Sequence, residues 1–64
     1  MKFTVDGMTC GHCVRAITRA VQALAPAARV DVDLDAKTVA VDADLPAERV
    51  AAAIAAEGYT VTAV

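Results

Sequence analysis

The sequence predicts an α+β sandwich, a four-stranded antiparallel sheet with two helices on one face. Three observations predict it. The chain has 64 residues, enough for one domain only, since ~100 to 200 residues per domain is usual. Apolar residues recur with period two in four short segments and at three- and four-residue spacing in two others. Those segments follow the order strand, helix, strand, strand, helix, strand, which is two crossover units end to end.

The elements read as follows. Phe3 and Val5 alternate with Lys2, Thr4 and Asp6, a strand with one buried and one wet face, and Gly7 ends it. From Cys13 the period changes: Val14, Ile17, Val21 and Leu24 share one face of an amphipathic helix, Arg15, Thr18, Arg19 and Gln22 occupy the other, and Pro26 stops it. Val30, Val32 and Leu34 alternate with Asp31, Asp33 and Asp35; after Ala36 and Lys37 the alternation resumes with Val39 and Val41, so the pair reads as a hairpin. Asp44-Leu45-Pro46 reads as a helix start, with a carboxylate near the cap and Pro in the first turn. Val50 and Ile54 mark the buried side of that helix, and Gly58 closes it. Tyr59, Val61 and Ala63 against Thr60 and Thr62 form the last strand. This is the split βαββαβ order of ferredoxin-like folds, and right-handed crossovers put both helices on the same side of the sheet.

Composition narrows the function. A chain this small buries only ~60% of the surface its unfolded form exposes, and sixteen of its hydrophobic residues are Ala. A large enclosed active site is not expected, and neither is an enzyme. Six Lys and Arg against eight Asp and Glu give a net charge of −2, with no basic excess to hold nucleic acid. The apolar stretch Ala51 to Ala56 falls far short of the ~20 residues that a bilayer span needs. Residues after Met1 and Lys2 alternate in polarity where a secretory signal would be continuously apolar. If Met1 is the natural start, residues 1–64 are expected to form a single domain that stays in the cytoplasm. Reducing conditions there make Cys10 and Cys13 chemical residues, not a disulfide framework.

Both cysteines fall where the first strand gives way to the first helix, Cys10 in the loop and Cys13 in the opening turn. Unpaired N–H groups and the helix dipole favour negative charge at that end, so lowered thiol pKa values are expected. Two thiolates with no carboxylate close in sequence favour Cu(I) or a similar soft ion over Mg or Ca. A structural zinc site closes with four protein ligands, whereas this chain offers Cys10, Cys13 and at most His12. Incomplete coordination in an exposed loop suits transfer by ligand exchange.

Gly7-Met8-Thr9-Cys10-Gly11-His12-Cys13, placed on a strand-to-helix loop in a chain of this length, resembles the heavy-metal-associated domain family. Its Met8–Cys13 segment is most similar to bacterial copper chaperones and to the N-terminal domains of copper-transporting ATPases. The resemblance runs over essentially the whole chain, including Glu57-Gly58-Tyr59, where bacterial members carry Tyr. It implies Cu(I) bound by Cys10 and Cys13, delivery to a P-type copper ATPase, and Met8 as an apolar anchor for the loop. Zinc- and cadmium-handling relatives tend to carry an acidic residue beside the first Cys, where this chain has Thr9. Mercury-binding relatives share nearly the same motif but are usually exported.

The remaining candidates each have a plain reading and a functional one. Met8 has a thioether able to ligate copper, but an apolar residue at the base of a loop more often packs into the core. His12 is expected at the surface, adjusting the local charge, with ligation across a dimer as the alternative. Tyr59 is by default a core aromatic; the resemblance puts it beside the metal loop, where its ring shields the site. Arg15 and Arg19 lie on the exposed face of the metal-proximal helix and suit docking to an acidic partner surface. A copper-bridged homodimer is a further expectation, because two facing loops offer four thiolates. The rival readings are a thiol–disulfide redox protein and a mercury- or zinc-binding domain of a metal transporter.

Overall fold

The computed structural model describes residues 1–8 and 11–63. The elements are β1 (Lys2–Asp6), α1 (Gly11–Leu24), β2 (Arg29–Asp33), β3 (Thr38–Asp42), α2 (Ala47–Ala55) and β4 (Thr60–Ala63). The strands form one sheet in the order β2-β3-β1-β4, antiparallel throughout. The expected ferredoxin-like sandwich is the fold observed.

Strand position decides how deeply the period-two pattern is buried. In the central strands Phe3, Val5, Val39 and Val41 are at most 2% exposed, and Phe3 stands directly opposite Val39. On the edge strands Val30, Val32 and Val61 are half-buried. Each edge valine has a neighbour on one side only, so an identical residue type covers less. Ile17 and Val21 of α1 and Val50 and Ile54 of α2 close the core from the helix side, all at 0% exposure. Among the described residues no polar side chain is buried, so the thin core carries no desolvation cost of that kind.

Four boundaries differ from the sequence reading. The first helix begins at Gly11, two residues before the periodicity announces it. Leu34 lies in the turn between β2 and β3, where its apolar character reflects packing against the core and not strand pairing. That turn is shaped by the Asp33 carboxylate, which accepts from the Ala36 N–H at 3.0 Å. Asp44 does not cap α2: Pro46 takes the N-cap position in an extended conformation, and no side-chain cap hydrogen bond is made there. Tyr59 precedes the last strand, which opens at Thr60. Gly58 does close α2, with φ of +97°, the left-handed conformation that glycine adopts without a Cβ penalty.

Candidate metal centre

The sheet has two ends, and the chemistry gathers at one of them. β1 finishes there at Asp6, α1 starts there, and the Asp6–Thr60 pairing brings Gly58 and Tyr59 to the same rim. The turn between β2 and β3 joins them, since the Val5 N–H donates to the Lys37 carbonyl at 2.8 Å.

Cys13 is the third residue of α1, half-buried and packed against the core. Its place follows from helical spacing: Cys13, Ile17 and Val21 recur every four residues and share the inward face. His12, Arg15 and Arg19 fall on the other face, and all three are exposed. The structure thus separates His12 from the side of the helix that carries Cys13. Met8 is 7% exposed and part of the core, tying the start of the loop to the sandwich. Cys10 lies outside the described residues.

Gly7 joins two of these groups. Its φ is +100°, its carbonyl accepts a long contact from Cys13 Sγ at 3.9 Å, and a Cβ built on it would come within 3.4 Å of Tyr59 Cδ1. Tyr59 is half-buried and packs on the core. The sequence reading has Gly7 end a strand and open the segment that carries the family resemblance, and in neither part does it meet Tyr59.

Electrostatics at this end favour an anionic sulfur. Cys13 sits in the first turn of α1, at the positive pole of the helix dipole, and no acidic residue occupies that turn. Among the described residues no three His, Cys, Asp or Glu side chains group together. An open groove of about 470 Å³ lies elsewhere, at the opposite end of the sheet, lined by residues that include Pro26, Ala28, Arg29 and Asp42. It is shallow and holds no thiol or imidazole, so the chemistry of the donor groups, not cavity size, locates the candidate site.

The fold and the cysteine in the first turn of α1 set the terms for comparison with known proteins, which assigns the class of module. The family model for the heavy-metal-associated domain matches residues 2–60, and the chain belongs to that family. No curated protein sequence matches it significantly. Among solved structures it is similar to the copper chaperone Atx1 from Synechocystis PCC6803, at 37% identity and a TM-score of 0.93 over 97% of this chain and 98% of that one. It is also similar to a gold binding protein, at 34% identity and a TM-score of 0.88 over 95% and 94% of the two chains. The N-terminal domain of ZntA in its apo form resembles it at 32% identity, with a TM-score of 0.84 over 95% of this chain and 85% of that one. The family supports heavy-metal binding as the general role. No helix among the described residues is long and apolar enough to cross a membrane.

Proposed function

We propose that the protein is a cytoplasmic copper chaperone which carries Cu(I) as cargo on the thiolates of Cys10 and Cys13 and passes it to the N-terminal metal-binding domain of a P-type copper ATPase. The observation that carries this reading is Cys13 in the first turn of α1, next to Gly7 and on the rim where Tyr59 meets it. A soft ion held by two thiolates keeps vacant coordination, so a partner thiolate can add before one of the original pair leaves. No bond of a substrate is made or broken beyond this exchange of sulfur ligands.

Each further residue has a part. Met8 anchors the loop from within the core, and Tyr59 shields one side of the metal. His12 adjusts the charge near the loop from the exposed face. Arg15 and Arg19 attract an acidic surface on the partner and govern encounter rate more than final affinity. Two copies brought loop to loop supply four thiolates, which supports a copper-bridged homodimer at high loading; a mass that stays monomeric at every Cu(I) ratio would rule it out.

Replacing Cys10 and Cys13 together with Ser tests the reading. Cu(I) affinity, measured anaerobically by competition with a chelator, should fall by more than the ~10- to 100-fold that loss of an outer partner costs. The far-ultraviolet circular dichroism should be retained. Unchanged affinity in a folded double variant would end the proposal. Running Zn(II) and Au(I) in the same competition distinguishes copper from the other metals that the family handles.

A further inference from the structure

We infer that Gly7 is a positioning residue for the metal site, holding the Cys13 sulfur and the Tyr59 ring to one peptide; this rests on the reading of Cys13 as a ligand. At φ of +100° an L side chain is strained, while glycine is not. In that conformation the Gly7 carbonyl meets Cys13 Sγ at 3.9 Å. The Tyr59 ring lies beside the place where a side chain would stand, with Cδ1 at 3.4 Å from a Cβ at that position. That separation is ordinary van der Waals contact, so an alanine methyl fits the space. The backbone does not: relief of the strain turns φ toward negative values and re-aims the carbonyl away from the sulfur.

The S–H group is a weak donor and its proton leaves when copper binds, so the contact aims the sulfur of the metal-free chain ahead of capture and adds no bond to the copper-bound one. Groups that orient a metal ligand without touching the metal typically change affinity by ~10- to 100-fold when altered. The same molecule contains a matched control. Gly58 has φ of +97°, and a Cβ built on it meets no described atom within 4 Å. It makes the same backbone demand without bridging sulfur and ring.

The test compares Gly7→Ala with Gly58→Ala by Cu(I) competition against a chelator. Gly7→Ala should weaken binding by ~10-fold or more; Gly58→Ala, which strains the backbone beside Tyr59 but leaves the Cys13 contact alone, should weaken it less. A chemically synthesised chain with D-alanine at position 7, which is relaxed at positive φ, should restore wild-type affinity. Equal effects at the two glycines, wild-type or tighter binding by Gly7→Ala, or no rescue by D-alanine would each overturn the inference.

A second measurement does not depend on a position-7 variant folding. In protein labelled with ¹³C at glycine carbonyls, Cys13→Ala should move the Gly7 resonance and leave that of Gly58 in place. An unmoved Gly7 resonance would overturn the inference. Wild-type copper affinity in Cys13→Ser would instead remove the ligand reading itself, so the two failures are distinguishable.

Discussion

The two ends of the sheet are built from the same strands and helices but differ in what they expose. The candidate metal end presents Gly7, Cys13 and Tyr59 at a convergence of β1, α1 and the segment before β4. The opposite end has an open groove and the exposed Leu24 at 40%, yet the groove's lining of Ala, Pro, Arg and Asp offers no soft donor. Each end carries the start of one helix beside a strand end, α1 after β1 and α2 after β3, so helix polarity does not set them apart; the difference is residue chemistry, since α1 opens with His12 and Cys13 and α2 with Ala47 and Glu48.

The comparison assumes that both ends share one core. Ile54, on the metal-proximal part of α2 and fully buried, links them. Ile54→Ala should cost ~2–5 kcal/mol of stability through lost contacts and a residual cavity. Urea unfolding followed by circular dichroism should show one transition at a lower midpoint. An unmoved midpoint, or two separate transitions, would break the single-core description.

A smaller effect sharpens the functional side. Reversing both charges with Arg15→Glu and Arg19→Glu should slow copper transfer to an acidic partner domain by ~10-fold at low salt, the difference shrinking as screening rises. Copper affinity of the isolated chain should stay as it is. Loss of affinity with no change in transfer rate would reverse the assignment of these residues. Smallest of all is Leu24→Ser at the groove end: as an exposed substitution it should shift stability by no more than ~0.5 kcal/mol and leave chelator competition unaltered. A measurable loss of copper binding there would erase the distinction between the ends.

Local patterns made much of this legible. Alternating Val and Asp in 30–33 and Val and Thr or Ala in 38–41 could hardly form anything but half-buried strands, and Pro26 had to stop a helix. The cysteine spacing located the loop because thiol chemistry needs no tertiary context to be noticed. Leu34 misled because an apolar side chain in phase with a strand looks identical whether it pairs or merely packs beneath a turn. Asp44 misled for a related reason: cap-forming residues are common wherever chains bend, and Pro46 holds the entry to α2 by its fixed backbone instead.

Periodicity and residue chemistry, both short-range, thus determined the order of elements, the buried faces and the presence of a soft-donor loop. The strand order β2-β3-β1-β4 and the meeting of Gly7 with Tyr59 were decided by tertiary structure. Pairing of Asp6 with Thr60 joins residues far apart along the chain, and no local preference encodes that register. It emerges when the central strands bury Phe3, Val5 and Val39 against both helices at once. Gly7 reads as punctuation until that packing puts a sulfur at its carbonyl and an aromatic ring across from it.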